Sequence, residues 1–150
     1  MPPHAHDRLI APPIDLLVGA SLFLDFDGTL VDIAETPDAV EVDADLSAML
    51  ARLVRALEGR VALISGRAAA EVRRLAGVEG LAVAGSHGQE LIWADGRVEA
   101  PGRPPALGEV RDEMAAFAAA APGLLVEDKP LGVALHFRRA PEQAGAAQAL

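Results

Sequence analysis

The chain is 150 residues long, the size of one domain or of one domain with part of another. Its hydrophobic fraction of 51% is enough for a core, but aromatics are only 3%, so Leu, Val and Ala must do the packing. A net charge of −9 argues against a nucleic-acid partner, and the absence of Cys excludes disulfides, zinc–thiolate sites and thiol nucleophiles. No apolar run reaches membrane-spanning length. An anionic ligand would therefore need local positive charge or a metal to hold it.

Residues 1–13 are Pro-rich and read as a loosely ordered tail, with His4 and His6 spaced so that they could touch a metal but more simply belonging to a frayed end. No basic region leads into a long apolar core there, so no secretory signal is expected and a cytoplasmic protein is the default. Residues 14–20 form a short lead-in, which makes 1–20 an N-terminal tail.

Residues 22–30 read LFLDFDGTL. Leu22, Phe23 and Leu24 predict a short buried strand. Asp25 and Asp27 follow, separated by Phe26, and Gly28 allows a tight turn. A strand that ends in acids puts them at the carboxyl edge of a sheet, where open α/β sheets bind ligands. Two carboxylates so close repel each other when both are ionised, and Mg²⁺ relieves that repulsion. The pair thus suggests a metal site in which one carboxylate is free to act as a nucleophile and carry an aspartyl phosphate. The alternative is a strand-to-turn boundary in which Asp and Gly serve only the turn.

Residues 31–42, with Asp32, Glu35, Pro37 and Asp38, read as an irregular loop in which Pro37 bars a helix. Asp43 is a candidate N-cap for a helix carrying Leu46, Leu50, Leu53 and Leu57, with Arg52 and Arg55 on its solvated face and Gly59 as the stop. A second buried strand at 61–64 runs into Ser65-Gly66-Arg67, and a helix over 68–76 ends at Gly77. The Ser65 hydroxyl and the first helical N–H groups can face a phosphate, or Ser65 can be an N-cap alone. A third strand at 81–84 precedes Gly85-Ser86-His87-Gly88, where His87 either helps bind a substrate or hydrogen-bonds within the turn. Residues 89–93 and 97–99 predict a β-hairpin with a two-residue Asp95-Gly96 turn and Trp93 on a packed face.

Strands alternating with helices to this point predict a parallel α/β sheet. Residues 100–105 then read as a linker, and a domain boundary falls there, separating 21–100 from 101–150. Beyond it, Leu107, Val110, Met114 and Phe117 mark an amphipathic helix stopped by Pro122-Gly123. Two strands at 124–126 and 133–137 flank a turn at 130–132, and Pro141 opens another helix, so this part is α+β. Glu127 with Lys129, and His136 with Arg138, are each two apart and share a strand face. Four polar groups on adjacent strands can form a sugar-binding surface, or an ordinary solvated face with cross-strand charge pairs.

The DFDGT string after a hydrophobic strand resembles the first motif of the haloacid dehalogenase-like phosphohydrolases. Together with LISGR, AGSHGQEL and VEDKPLGVALHFR, in that order, it makes nearly the whole chain after the first twenty residues similar to the trehalose-6-phosphate phosphatases. The resemblance implies a Rossmann-like core, here incomplete, with the first half of an αββ-type cap, and Mg²⁺-dependent removal of phosphate from a sugar phosphate. By the same resemblance, Asp25 attacks phosphorus and binds Mg²⁺, while Asp27 protonates the leaving oxygen and lends its carbonyl to the metal. Ser65 and the Gly66 N–H hold the phosphoryl group, assisted by Thr29 and the turn amides, and Arg67 sits close to the substrate. Glu127 and Lys129 bind the distal glucose and help close the cap, supported by His136 and Arg138. The family's later phosphate-binding lysine and acidic GDD-type motif are not found: Lys129 is the only lysine and no acidic pair follows Asp128. The expectation is a longer enzyme cut short, weakly active or inactive alone, with an unpaired sheet edge. The alternatives are another sugar-phosphate phosphatase, such as a sucrose-phosphatase-like enzyme, or a non-catalytic chain that binds sugar phosphates or a partner. Oligomeric state is not legible.

Overall fold

The computed structural model describes residues 11–13, 15–34, 36 and 39–150. The readings of His4 and His6, of Ile14, and of Glu35, Pro37 and Asp38 lie outside the described residues.

One sheet has five strands in sequential order: β1 (Leu22–Asp25), β2 (Val61–Ile64), β3 (Ala82–Gly85), β4 (Glu90–Ile92) and β5 (Val98–Glu99). The first three are parallel, with Asp25 opposite Ile64 and Ile64 opposite Ala84, so their carboxyl ends lie side by side. β4 and β5 add on antiparallel, giving a mixed α/β sheet. Two crossover helices, α1 (Ala44–Ala56) and α2 (Ala69–Ala76), connect the parallel strands. The core between them is aliphatic, as the composition requires, with Leu50, Leu63, Val72, Leu81 and Val83 enclosed. Phe26 is the aromatic exception: it is 0% exposed and anchors the turn between the two aspartates.

β1 differs from the sequence reading. Leu22 and Leu24 pack on the core, but Phe23 is 68% exposed. β1 occupies the edge of the sheet among the described residues, and alternate side chains of a strand point to opposite faces. Phe23 and Asp25 share the uncovered face. The sequence reading expected an unpaired edge without placing it; among the described residues one falls at β1.

The α1 start follows the capping rule. The Asp43 carboxylate accepts the Leu46 N–H at 2.6 Å, and Asp45 lies in the first turn. Asp43→Ala is expected to cost about 1 kcal/mol, read as a thermal midpoint about 2–4 °C lower. α2 ends at Gly77 in the left-handed conformation.

The hairpin turn is longer than expected. Trp93 N donates to Arg97 O and Gly96 N donates to Trp93 O, so the loop is Ala94-Asp95-Gly96 with Gly96 at φ 88°. This is the three-residue hairpin in which a turn is followed by a left-handed glycine. Trp93 is 39% exposed rather than packed, with the Arg97 guanidinium 4.8 Å from its ring centroid.

Beyond residue 105 the order is α3 (Leu107–Ala119), β6 (Leu125–Lys129), β7 (Gly132–His136), a 3₁₀ turn at Pro141–Gln143, and α4 (Ala144–Ala149). β6 and β7 form a separate two-stranded antiparallel sheet against which α3 packs. The strands run closer to the turn than the sequence suggested, so Glu127 and Lys129 lie on β6 itself. Among the described residues, no helix is long and apolar enough to cross a membrane.

Candidate active site

The DFDGT turn is closed by its own backbone. Phe26 O accepts from Leu30 N and Val31 N, and Gly28 N donates to Val31 O. Most of the turn amides expected to assist a phosphate are thus committed within the turn. The N–H groups of Asp27 and Thr29 have no protein acceptor among the described residues, so they remain available to an anion. Asp25 is exposed at the strand end, and Thr29 Oγ1 donates to its Oδ2 at 2.7 Å. That bond leaves Asp25 Oδ1 without a protein donor among the described residues.

Asp27 faces the other way, into a charged cluster. Arg67 Nε donates to both of its oxygens at 2.9 and 3.1 Å, and Ser65 Oγ donates to Oδ2 at 3.1 Å. Arg67 also reaches Glu71 Oε1 at 2.6 Å, one helical turn along. Burial opposes the Arg67 charge, yet its hydrogen bonds and attraction to Asp27 and Glu71 outweigh this and raise its pKa above the usual arginine range. The guanidinium is therefore a permanent cation, and it holds Asp27 as a hydrogen-bond acceptor.

Ser65 differs from the expectation of a hydroxyl waiting for phosphate. It is 5% exposed, accepts the Arg67 N–H at 3.0 Å, and turns its proton to Asp27. The α2 N-terminus is also not open as expected, because Ala69 N donates to Glu90 Oε2 at 2.9 Å. Nor is Ser65 the N-cap of α2: that position is Ala68, which makes no side-chain cap. The Gly66 N–H has no protein acceptor among the described residues.

Ser86 and His87 both take positive φ, 48° and 57°. Two consecutive left-handed non-glycine residues cost about 1–3 kcal/mol each, and such strain gathers at working sites. The turn is pinned by Ser86 N to Arg67 O at 2.7 Å and His87 N to Ser65 O at 3.1 Å. The His87 ring lies so close over Gly66 that a Cβ there would come within 2.6 Å of its Cε1.

The two-stranded sheet closes over this region. Glu127, Lys129 and His136 share one face, with His136 Nε2 2.7 Å and Lys129 Nζ 3.5 Å from Glu127 Oε2. Lys129 Nζ also donates to Gly66 O at 3.3 Å, and Arg138 donates to Ala34 O at 2.6 Å. Between the sheets lies a cavity of about 320 Å³ lined by Asp27, Gly66, Arg67, His87, Glu127, Lys129, His136 and Arg138, with Ile33, Ala34 and Thr36 from the loop after β1. Eight residues picked out from sequence thus meet in one place. Asp25, Thr29 and Ser65 do not line it, and Thr29 borders a separate acidic hollow with Asp32, Glu41 and Asp43. Sequence reasoning missed Glu71 and Glu90. Glu90 is the last residue but one of the AGSHGQEL segment, but its partner Ala69 is 21 residues away and no local pattern signals the contact.

The residues fit a hard divalent cation in donor type. Asp25 Oδ1 and the Asp27 carbonyl both lack protein donors among the described residues, and Mg²⁺ is commonly held by one or two carboxylates plus phosphate and water. No group of three or more acidic, His or Cys ligands occurs among the described residues, so any metal here would keep other oxygens in its shell.

Three parallel strands of a mixed sheet present Asp25 at their carboxyl edge, with Asp27 in the turn that follows, under a polar two-stranded sheet, the arrangement that the resemblance to the haloacid dehalogenase-like phosphohydrolases implies. Comparison with known proteins narrows this further. The trehalose-phosphatase family model matches residues 23–150, and the chain belongs to that family. It is 42% identical over 123 residues to a probable trehalose-phosphate phosphatase of Sinorhizobium fredii, an alignment covering 82% of this chain and 46% of that protein. It is 43% identical over 128 residues to the trehalose-phosphate phosphatase of Mycolicibacterium paratuberculosis, covering 80% and 31%. The chain therefore spans less than half the length of these relatives. The C. albicans trehalose-6-phosphate phosphatase C-terminal domain superposes with a TM-score of 0.70 at 25% identity, covering 85% of this chain and 45% of that one. A trehalose-6-phosphate phosphatase related protein has the same fold, with a TM-score of 0.72 at 23% identity over 85% and 56%.

Proposed function

We propose that this chain carries the nucleophile, the acid–base group and part of the sugar-binding wall of a Mg²⁺-dependent phosphatase that converts trehalose 6-phosphate to trehalose. The observation that carries the reading is the charge of the cavity. Among the described residues, Arg67, Lys129 and Arg138 face it against Asp27 and Glu127, an excess of one positive charge in a chain of net −9. Such a local reversal draws in an anion. Residues 21–100 act as the core and 101–150 as the cap, with 1–20 preceding them. A cytoplasmic setting belongs to the same reading and rests on family membership.

In this mechanism Asp25 attacks phosphorus as the bond to the sugar oxygen breaks, and Asp27 gives that oxygen a proton. Water then attacks the aspartyl phosphate while Asp27 takes the water's proton, releasing inorganic phosphate and restoring Asp25. The structure supports the second half most directly: Asp27, accepting from Arg67 and Ser65, is arranged as a base. A bound Mg²⁺ would supply charge balance at the phosphoryl oxygens. The Gly66 and Thr29 N–H groups, and Ser65 once its proton leaves Asp27, hold those oxygens. Glu127, Lys129, His136 and Arg138 offer a mixed donor and acceptor surface that suits sugar hydroxyls, and His87 walls the near side.

The test is phosphate release from trehalose 6-phosphate, with Mg²⁺ and with EDTA, by this chain and by this chain joined to the remainder of the S. fredii relative. Mg²⁺-dependent release by the joined protein, and weak or no release by the chain alone, is expected. Equal or faster turnover of sucrose 6-phosphate or glucose 6-phosphate would overturn the choice of substrate, and no release from either preparation would overturn the activity. Gly66→Ala, which drives His87 from its place, is expected to raise KM about tenfold, equivalent to about 1.4 kcal/mol of binding. Its effect on the melting temperature is expected to be small because the His87 ring is exposed and its displacement opens no gap in the core.

A further inference from the structure

Glu90 stands outside every role assigned above, yet one of its oxygens joins three elements. It opens β4 opposite Gly85, and its Oε2 accepts both Ala69 N at 2.9 Å and Ser86 Oγ at 2.8 Å. Ala69 begins α2, directly after the loop that carries Ser65, Gly66 and Arg67. Ser86 begins the left-handed pair whose second member is His87. A strained pair persists only where its surroundings over-determine it. Here the restraints are two backbone bonds to the Ser65–Arg67 loop, a local bond from Gln89 N to Ser86 O at 3.3 Å, and one side-chain bond to Glu90. The Ser86 hydroxyl is buried and its described hydrogen bond goes to Glu90, so this contact is what orients the Ser86 side chain. With Ser86 fixed, the next residue places its ring over Gly66, whose carbonyl receives Lys129.

We propose that Glu90 is a positioning residue: acting through Ser86, it holds the His87 ring against Gly66 and so shapes the cavity wall between the core and the two-stranded sheet. The consequence for turnover rests on the proposed phosphatase reading, whereas the geometric claim does not.

The geometric claim is tested by NMR on the chain itself. Wild type should show a nuclear Overhauser effect between the His87 ring Hε1 and a Gly66 α-proton, since one of those protons lies in the direction of the absent Cβ. Ser86→Ala leaves the Glu90 contact with α2 intact and should weaken the effect at least threefold, with amide shifts in α1 and β2 unchanged. Glu90→Gln, which keeps an oxygen acceptor, should preserve at least half of it. If Glu90→Ala unfolds the chain, Ser86→Ala still decides. An undiminished His87–Gly66 effect in folded Ser86→Ala overturns the proposal. In the joined protein, Ser86→Ala should raise the KM for trehalose 6-phosphate about tenfold with kcat within threefold. A fall in kcat at unchanged KM would overturn the assignment of Glu90 to the binding wall. Absence of wild-type turnover would count against the phosphatase reading and leave the NMR result to judge Glu90.

Discussion

Asp25→Asn should abolish phosphate release from trehalose 6-phosphate in the preparation that shows it, by a factor on the order of 10⁴–10⁶, the scale seen when a covalent nucleophile is removed. That is about 5.5–8 kcal/mol of barrier at 1.36 kcal/mol per tenfold. The amide oxygen cannot form the acyl phosphate, so loss of attack rather than loss of binding is expected, and KM should move little. The fold should not notice. Asp25 is exposed at the end of an edge strand, its described hydrogen bond comes from Thr29, and an Asn oxygen can still accept it. A stability change within about 0.5 kcal/mol is expected at such a surface site. Single-turnover kinetics beside a thermal melt would check both halves. Activity within tenfold of wild type would remove Asp25 from the role of nucleophile.

Asp27→Asn makes the contrasting case. Activity should fall by about 10²–10⁴-fold, the usual worth of a positioned acid–base group. Here stability should fall as well, because Arg67 is buried and would lose the carboxylate that its Nε faces. Opening a buried ion pair costs about 3–5 kcal/mol. With Asp27 about one-third exposed and Asn still able to accept a hydrogen bond, about 1–2 kcal/mol is the expected loss after solvent screening. Two aspartates a single residue apart should thus separate cleanly, one chemical only and one chemical and structural.

The place of the candidate site was legible wherever its residues lie in a short run of chain. DFDGT, SGR, the Glu127–Lys129 pair of β6 and His136 of β7 each occupy a strand end or a strand face, where the periodicities of strands and helices place them without tertiary knowledge, whereas Arg138 lies in the turn beyond β7 and not on the strand face expected. What escaped depends on distant partners. Ser65 reads as a phosphate ligand or an N-cap, but its proton goes to Asp27, 38 residues earlier. Phe23 reads as core because its neighbours are apolar, but exposure depends on which strand lies at the edge. Lys129 and Arg138 read as a cap surface, while their bonds to Gly66 O and Ala34 O span 63 and 104 residues. Those two bonds bring the polar face of β6 and β7 and the aspartate turn into one cavity, and no local pattern encodes them.

The close approach of β3 to α2 yields the largest expected effect on stability. A Cβ on Gly85 would lie 2.3 Å from Ala69 N and 2.6 Å from Ala69 Cα, which are backbone atoms and cannot swing aside. Gly85→Ala must therefore push the first turn of α2 away from the sheet. That movement would loosen Val72 and Ala76, which are enclosed in the core, and would pull Ala69 N from Glu90. Overpacking of a filled interior costs about 1–3 kcal/mol and sometimes more. A backbone-on-backbone clash belongs at the upper end, so about 3 kcal/mol is expected, read as a midpoint about 6–12 °C lower for a chain of this size. Hydrogen exchange should localise the damage, with amides of α2 and β3 losing protection before those of α3 and β6. The Ser65–Arg67 loop feeds directly into α2, so activity should fall along with stability. A Gly85→Ala protein that melts within a degree of wild type would show that α2 can slide along the sheet. It would also show that the spacing of Gly66, His87 and Arg67 is not set by the contact at Gly85.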